Sequence, residues 1–178
     1  MFFIMDKKVI KAGKYMSLLL RHAPEKEHLD MDKFGWVSVK QLISRLDITF
    51  SDLMDIVIAD NKQRFSFNDD ETKIRANQGH SIDVDVQLEE TEPLSILYHG
   101  TSTKDLDSIF KTGLKSKSRL YVHLSSDIET ATSVGKRHGT PYVLNIDAEQ
   151  MHKDGFVFYL SKNGVWLTKF IPSKYIIL

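Results

Sequence analysis

The N-terminal half of the chain contains three segments in which apolar residues recur at helical spacing. They are residues 7–22, the segment that follows Ser38 and the segment that follows Ser51, and each serine is the predicted N-cap of its helix. The residues expected to face the core are Ile10, Tyr15, Leu18, Leu19, Val39, Leu42, Ile43, Leu46, Leu53, Ile56 and Val57. Two alternating runs around a polar turn then predict a β-hairpin over residues 64–77.

The order of these elements suggests a fold for the first half and a boundary after it. Three helices followed by a hairpin is the order of a winged helix, a shape that binds DNA in many proteins but does not decide function. From Val84 the chain becomes acidic, contains Pro93 and has the composition of an exposed connector. We therefore expect two domains, over residues 1–86 and 94–178.

The second half is dominated by strand-like runs. They are SILYHGT, LYVHLSS, PYVLNID, GFVFYLS, GVWLTKF and KYIIL. Two helical patterns lie between them, one with Thr103 as its cap and Gly113 as its end, the other ending at Gly139. This half is expected to be α+β with a mainly antiparallel sheet.

Composition and charge narrow the class of protein. The 178 residues are 42% hydrophobic, which is ample for compact cores, and 24 basic residues balance 24 acidic ones, so no overall field indicates a polyanionic partner. The chain has no cysteine, which removes disulfides and thiolate metal sites and fits a reducing compartment. The apolar start is too short for a signal peptide and no stretch approaches a membrane span. We expect a cytoplasmic monomer without a membrane partner.

The stretch SLLLRHAPE raises the first question of chemistry. Because the residue before Pro24 is disfavoured in the α region, the helix is expected to stop near Ala23, with Arg21 and His22 at its end. Cations in a last helical turn are favoured by the helix dipole, so the pair has a purely structural interpretation. It gains a chemical one only if partners lie elsewhere in the chain.

Three further polar clusters supply candidate partners. They are IRANQGHS around Gly79, LYHGTS after an apolar strand, and SRLYVHLSSD, in which a histidine lies within a strand that ends in serines. Each has an ordinary structural interpretation as a polar turn or a satisfied strand residue. Arginine presents a rigid fork that matches phosphate oxygens and stays charged, so arginines gathered with histidines favour a phosphorylated substrate.

The absence of several sequence motifs argues against some classes of enzyme. The chain has no GxxxxGK[ST] loop and no GxGxxG after a strand, which argues against a P-loop nucleotidase and a Rossmann cofactor site. It also lacks HExxH and GxSxG, and its histidines lack close metal-ligand spacing. We therefore expect no metal.

Seven motifs in this order closely resemble the RNA 2′-phosphotransferase (tRNA 2′-phosphotransferase) family: LLLRHAPE, GWVSVKQLI, IRANQGHS, YHGTS, RLYVHLSSD, VGKRHG and NGVWLT. The resemblance runs from about Met16 to the C-terminus. It implies an N-terminal winged-helix lobe for RNA and a C-terminal lobe of the ADP-ribosyltransferase fold for NAD⁺. The implied reaction removes an internal 2′-phosphate from RNA, such as a splice-junction phosphate, and yields 2′-hydroxyl RNA, nicotinamide and ADP-ribose 1″,2″-cyclic phosphate.

The resemblance also implies roles for individual residues. The family's Arg-His-Arg-Arg set falls on Arg21, His22, Arg75 and Arg119. In the implied reaction the RNA 2′-phosphate attacks C1″ of the nicotinamide ribose, and the ribose 2″-hydroxyl then attacks the new phosphodiester, so that the RNA 2′-oxygen leaves. The first three residues would hold phosphate, with His22 as a ligand or as an acid–base group, and Arg119 would stabilise charge in the second step.

Binding residues are implied in the same way. The NAD⁺ candidates are His99, Gly100, Thr101, His123, Ser125, Ser126, Arg137 and Val165, with the two histidines and Val165 on an H-H-hydrophobic signature. The RNA and phosphate candidates are Arg64, Gln78, His80 and Ser81. Arg64 is also the alternative to Arg75 as the second arginine of the set.

Two rival functions remain open from the sequence. One is an ADP-ribosyltransferase that caps terminal phosphates of RNA or DNA by the first step alone. The other is a winged-helix nucleic-acid-binding regulator with a ligand-sensing lobe. The products formed from NAD⁺ and a 2′-phosphorylated RNA separate both rivals from the implied reaction.

Overall fold

The computed structural model describes residues 6–177, and its contacts divide the chain between Gln87 and Leu88 into two units. Its helices and antiparallel strands confirm the predicted α+β class. In the described part of the chain no helix is long and apolar enough to cross a membrane.

The first unit contains three α-helices and a three-stranded antiparallel sheet. The elements are α1 (Lys7–Arg21), a 3₁₀ turn (Pro24–Glu27), β1 (Val37–Ser38), α2 (Val39–Leu46), α3 (Phe50–Ala59), β2 (Phe65–Phe67) and β3 (Lys73–Ala76). The strand order is β1-β3-β2, and Ser66 pairs with Arg75 in the hairpin. The predicted hairpin is confirmed. Strand β1 was not predicted, because two residues carry no alternation.

The helix starts of this unit are set by side-chain caps, and one prediction is wrong. Ser38 caps α2 as expected, since its hydroxyl accepts from the backbone N–H of Gln41. The cap of α3 is Thr49 rather than Ser51, because Thr49 and Asp52 satisfy each other's backbone N–H groups. This reciprocal capping box gives the earlier start an advantage that Ser51 lacks.

The core of the first unit lies where α1, α2, α3 and the sheet meet. Its fully buried side chains include Met16, Leu19, Leu42, Leu53 and Ile74. The prediction that Ile10 faces the core is wrong, because this side chain is 43% exposed. The buried stripe of α1 instead runs through Val9, Ala12, Met16, Leu19 and Leu20, while Tyr15 and Leu18 are half-buried at its side.

The second unit combines short antiparallel sheets with three helices. The elements are β4 (Ile96–Ser102), a 3₁₀ turn (Thr103–Asp105), α4 (Leu106–Thr112), β5 (Leu114–Lys115), β6 (Val122–Leu124), α5 (Ile128–Gly135), β7 (Pro141–Asp147), α6 (Ala148–Lys153), β8 (Tyr159–Leu160), β9 (Trp166–Thr168), β10 (Phe170–Ile171), a 3₁₀ turn (Ser173–Tyr175) and β11 (Ile176–Ile177). The sheets have the orders β11-β7-β4, β6-β9-β8 and β10-β5. Every pairing described is antiparallel, as predicted.

Several boundaries in this unit differ from the predictions. Thr103 opens a 3₁₀ turn and does not cap α4, whereas Gly113 ends α4 as expected. Helix α5 ends at Gly135 instead of Gly139, because the backbone N–H groups of Arg137 and His138 bond to carbonyls only three residues back, the bonds of a tight turn. Helix α6 was not predicted.

The acidic connector is tied to both units by backbone hydrogen bonds. The N–H of Asp85 donates to the carbonyl of Lys33 at 2.8 Å, within the first unit. The N–H of Thr91 donates to the carbonyl of Phe158 at 2.9 Å, within the second. The predicted domain limits, and the winged-helix and ADP-ribosyltransferase identities, stay predictions.

Candidate functional site

In the first unit the Arg21–His22 pair is joined to the IRANQGHS segment. Helix α1 ends at Arg21, and His22 caps it with its backbone N–H on the carbonyl of Leu18. The N–H of Ser81 donates to the carbonyl of Arg21 at 3.0 Å, and the Ser81 hydroxyl lies 2.9 Å from Nδ1 of His22. The helix end predicted from Pro24 therefore lies against a second predicted cluster.

Gly79 lies in contact with the Arg21 guanidinium and has a backbone conformation that favours glycine. Its φ of 89° is in the region that favours glycine, and a Cβ at this position would lie 3.5 Å from Cζ of Arg21. The same Cζ lies 5.9 Å from the centre of the Phe65 ring. The backbone conformation, rather than lack of space, therefore accounts for glycine beside this predicted catalytic arginine.

Arg75 is held by groups from two other segments of the first unit. Its guanidinium stacks 4.4 Å from the centre of the Trp36 ring, and NH1 donates to the carbonyl of Phe34 at 3.2 Å. The same nitrogen lies 3.5 Å from Oε1 of Gln87. Nε of Arg75 is buried and has no hydrogen-bond partner. A buried donor of this kind is costly unless a ligand accepts from it.

Burial also acts on the charge of Arg75. Burial lowers the pKa of its guanidinium, while the carboxylates of Asp32 and Asp85 oppose that effect. An arginine stays charged even when its pKa is lowered in this way. The first unit therefore holds a permanent positive charge in a partly desolvated position, where an anion is attracted more strongly than in water.

His80 lies in the same cluster and is only 3% exposed. Its Nε2 is buried without a hydrogen-bond partner. Burial lowers the pKa of His80 to about 4, and the positive charges of Arg21, His22 and Arg75 act in the same direction. The cluster therefore brings four predicted residues to one place, and the permanent positive charges of Arg21 and Arg75 there favour an anion.

Arg64 and Gln78 lie beside this cluster with other contacts. The guanidinium of Arg64 forms an ion pair with Asp60, whose side chain is only 6% exposed. The Asn77 amide donates to the carbonyl of Gln63 at 2.7 Å, which fixes the backbone on the N-terminal side of half-buried Gln78. The structure thus commits Arg64 to Asp60, while Arg75 retains an orphaned donor.

In the second unit, the two histidine strands lie side by side. Tyr98 and Ser125 exchange backbone hydrogen bonds of 2.9 and 2.8 Å, which joins β4 to the end of β6. Nδ1 of His99 lies 3.0 Å from the carbonyl oxygen of His123, and Nδ1 of His123 lies 3.1 Å from that of Tyr121. Because a carbonyl only accepts, both Nδ1 atoms carry a proton.

The same strand ends bring two further candidates together. Leu124 of β6 pairs with Trp166 of β9, so the next residue outward on each strand is Ser125 or Val165. Burial lowers the pKa of His99, although its hydrogen bond to the His123 backbone raises it. The ring of His99 is therefore neutral at neutral pH, and its Nε2 is an acceptor.

Gly100 and Thr101 have a clear packing role in this unit. A Cβ on Gly100 would lie 1.7 Å from the carbonyl oxygen of Ala131 in α5. Only glycine therefore allows β4 and α5 to approach this closely. Thr101 is buried on the same strand, and its backbone lies against Gly135 of that helix.

The remaining candidates of the second unit lie on exposed segments. Arg119 is exposed in the turn before β6, with its backbone N–H on the carbonyl of Ser116. Ser126 is exposed just before α5, and Arg137 is exposed in the turn after it. Between residues 6 and 177 there is no group of three His, Cys, Asp or Glu side chains that could hold a metal ion.

The sequence reasoning missed Trp36 as a site residue. Trp36 lies in the motif GWVSVKQLI, but no role for it was predicted from the sequence. The only signal in the sequence was an aromatic residue directly after a glycine, and the structure shows a turn there, with a φ of 80° at Gly35. Its contact with Arg75 is long-range and has no local signature.

Comparison with known proteins places the chain among enzymes of one name. The sequence model of the family described as "RNA 2′-phosphotransferase, Tpt1 / KptA family" matches residues 7–170. A "Probable RNA 2′-phosphotransferase" of Fusobacterium nucleatum subsp. nucleatum is 53% identical over 173 residues, covering 94% of this chain and 97% of the relative. Proteins of the same name from Flavobacterium johnsoniae and Streptomyces coelicolor are 51% and 44% identical, with at least 96% of each chain covered.

These matches extend over both units and confirm the resemblance carried by the seven motifs. The chain belongs to the RNA 2′-phosphotransferase, Tpt1 / KptA family.

Proposed function

We propose that this chain removes an internal 2′-phosphate from RNA, of the kind left at a tRNA splice junction, with NAD⁺ as co-substrate. The products would be 2′-hydroxyl RNA, nicotinamide and ADP-ribose 1″,2″-cyclic phosphate. The observation that carries the proposal is the cluster of Arg21, His22, Arg75 and His80 in the first unit. The names of the relatives support the substrate class.

The cluster suits the 2′-phosphate because of its charge and its donors. A phosphate monoester carries close to two negative charges near neutral pH, whereas the backbone diester carries one. Arg21 and Arg75 supply permanent charge and several N–H groups, and the orphaned Nε of Arg75 gains an acceptor when phosphate binds. Selecting a dianion among the many monoanions of an RNA backbone requires this concentration of charge.

His22 is the group in the cluster best suited to move a proton. Its Nδ1 is hydrogen-bonded to the Ser81 hydroxyl, which fixes the ring at the helix end. Imidazole titrates near neutral pH, so it can donate to the RNA 2′-oxygen as that oxygen leaves. In this scheme Ser81 orients the ring and Arg21 holds the phosphate oxygens.

The second unit has polar, apolar and cationic side chains that fit the parts of NAD⁺. Nε2 of neutral His99 is an acceptor that matches a ribose hydroxyl, and the apolar Val165 matches the uncharged face of a nucleoside. The His123 backbone holds the His99 ring in place. NAD⁺, when bound, supplies an electrophilic ribose carbon and nicotinamide as its leaving group. Arg119 and Arg137 are exposed cations of this unit that can bind pyrophosphate or phosphoryl oxygens.

The two units are proposed to bind different substrates. We propose that the first unit is a winged-helix lobe that holds the RNA phosphate. We propose that the second has the ADP-ribosyltransferase fold and holds the nucleotide. Positioning and electrostatic stabilisation then supply most of the rate enhancement, since phosphate itself is the nucleophile.

An assay with one synthetic RNA tests the proposal. The RNA carries a single internal 2′-phosphate and is incubated with the protein, with and without NAD⁺. We expect 2′-hydroxyl RNA and free nicotinamide only when NAD⁺ is present. RNA that gains ADP-ribose and keeps it, or RNA that loses phosphate equally well without NAD⁺, would contradict the proposal.

A further inference from the structure

His80 is an unusual component of a phosphate site, because its ring is neutral and has an orphaned nitrogen. Its side chain is 97% removed from solvent, at 3% exposure, and Nε2 has no hydrogen-bond partner. A buried N–H without an acceptor is rarer in proteins than an acceptor without a donor. We therefore assign the proton of the neutral ring to Nδ1 and the lone pair to Nε2.

The surroundings of His80 explain why the ring stays neutral without an anion. Burial is the main cause, and the charges of Arg21 and His22 at the end of α1 and of Arg75 on β3 also disfavour a further positive charge. The turn at Gly35 comes next to the ring, with its Cβ position 3.8 Å from Nε2, and contributes no charge there. Asp32 and Asp85 act on Arg75.

A bound dianion reverses this balance. Two negative charges next to Arg21 and Arg75 cancel the charges that oppose protonation of the ring and offset the cost of charging it in a buried position, whereas a single negative charge leaves part of that opposition in place. The protonated ring then has an N–H at Nε2, and this donor removes the unsatisfied atom. The proton comes from solvent, so no other group of the protein changes its charge in the step.

We propose that His80 determines specificity for the dianionic 2′-phosphate by accepting a proton at Nε2 when that phosphate binds. This inference rests on the proposed phosphate site but concerns how the site distinguishes a monoester from the diesters of the RNA backbone. Arg21 and Arg75 attract either anion, while His80 adds its charge only for the dianion. Binding is then coupled to the uptake of one proton.

Inorganic sulfate is the probe that separates this effect from titration of the ligand. Sulfate carries two negative charges and does not itself bind protons near neutral pH. The full chain, labelled with ¹⁵N in its histidine rings, is observed by NMR at about pH 6 with and without saturating sulfate. We expect the ratio of charged to neutral His80 to rise at least about 100-fold, which corresponds to two pKa units.

The His80→Asn variant serves only to identify the resonances of His80. The ratio of charged to neutral His80 is measured on the wild-type protein. A His80 ring that stays neutral at saturating sulfate overturns the inference and leaves the phosphate site intact. Absence of sulfate binding overturns both the inference and the phosphate site. The two failures are therefore distinguishable.

A specificity measurement provides the second arm. The affinity ratio between an RNA with one internal 2′-phosphate and the same RNA without it is measured at about pH 6 for wild type, His80→Asn and His28→Asn. His28 is an exposed histidine of the same unit in a left-handed conformation that asparagine tolerates, so it is a matched control. We expect the ratio to fall about tenfold in His80→Asn only. An unchanged ratio overturns the inference.

Discussion

Arg75 is the residue of the first unit whose contacts best fit a role in binding an anion. Its ring contact with Trp36 and its hydrogen bond to the Phe34 carbonyl orient the guanidinium without neutralising it. Lysine cannot reproduce a planar group that stacks and donates in two directions. The position therefore requires arginine specifically, and both of its supports can be tested.

Replacing Arg75 by lysine is expected to lower kcat/KM for 2′-phosphorylated RNA by about 10²-fold or more, the usual effect of losing one oriented donor to a developing charge. Trp36→Leu is expected to cost less, about 1 kcal/mol of the same stabilisation, because it removes only the stacked ring. Arg45→Lys is the control, since Arg45 is exposed on α2. Equal activity of Arg75→Lys and Arg45→Lys would contradict the assignment.

The low pKa of His80 predicts how stability depends on pH. With a pKa of about 4 when folded and the ordinary 6.5 when unfolded, the unfolded chain binds more protons between these values. Stability therefore rises with pH through this window, and the contribution of His80 to acid destabilisation at pH 5 is about 2 kcal/mol. At pH 7.5, about one unit above the unfolded pKa, the ring is almost entirely neutral in both states and contributes almost nothing of this kind.

Denaturant unfolding of the wild type and His80→Asn at pH 5 and pH 7.5 measures this term. The loss of stability of the wild type from pH 7.5 to pH 5 is expected to exceed that of His80→Asn by about 2 kcal/mol. Comparing each protein with itself removes the packing cost of the substitution. Parallel losses in the two proteins would show that the ring takes its proton equally well when folded.

At the scale of elements, two local features decide where helices begin and how closely they pack. The capping box of Thr49 and Asp52 makes Thr49 the N-cap of α3, instead of the predicted Ser51. Gly100 allows the close contact of α5 with β4. Both features depend on one or two residues. Each feature is tested by a pair of substitutions, of which one is expected to lower stability markedly and the other is a control.

Thr49→Ala is expected to lower the free energy of unfolding by about 1 kcal/mol, the typical value of an N-cap. Ser51→Ala is expected to change it by less than about 0.5 kcal/mol, because exposed Ser51 lies inside the helix. Urea unfolding of both variants measures the difference. A larger loss in Ser51→Ala would restore the cap predicted from the sequence.

Gly100→Ala is expected to destabilise the chain by about 3 kcal/mol or more, because the new methyl group would overlap the Ala131 carbonyl oxygen and displace α5 from β4. Gly164→Ala is the matched control, since its φ is 75° but no atom lies within 4 Å of the new methyl group. That variant should lose only the backbone term of about 1–2 kcal/mol. Thermal unfolding of both variants measures the contrast, and equal losses would refute the packing role.

At the scale of the whole molecule, local patterns predicted much of what the structure contains. The hairpin, the Ser38 cap, the end of α4 and the α+β class follow from residues close together in sequence, and they are confirmed. Two-residue strands such as β5 and the short helix α6 could not be predicted, because they are too short to show a period. They form because neighbouring elements supply their partners.

The candidate site shows the same limit. The motif residues could be chosen from the sequence, and the structure brings Arg21, His22, Arg75 and His80 into one cluster of the first unit. Their supports could not be chosen, since Phe34 and Arg75 lie 41 residues apart in sequence. Only the folded sheet and turn make the stacked ring and the orphaned nitrogens visible.

The central claim concerns the fate of one phosphorus atom, and labelling that atom tests it most directly. An RNA with a single ³²P-labelled internal 2′-phosphate is incubated with the protein and NAD⁺, and the products are separated. We expect the label to leave the RNA and to appear in ADP-ribose 1″,2″-cyclic phosphate, with one nicotinamide released for each phosphate removed. Label recovered as inorganic phosphate, or retained on the RNA, would contradict it.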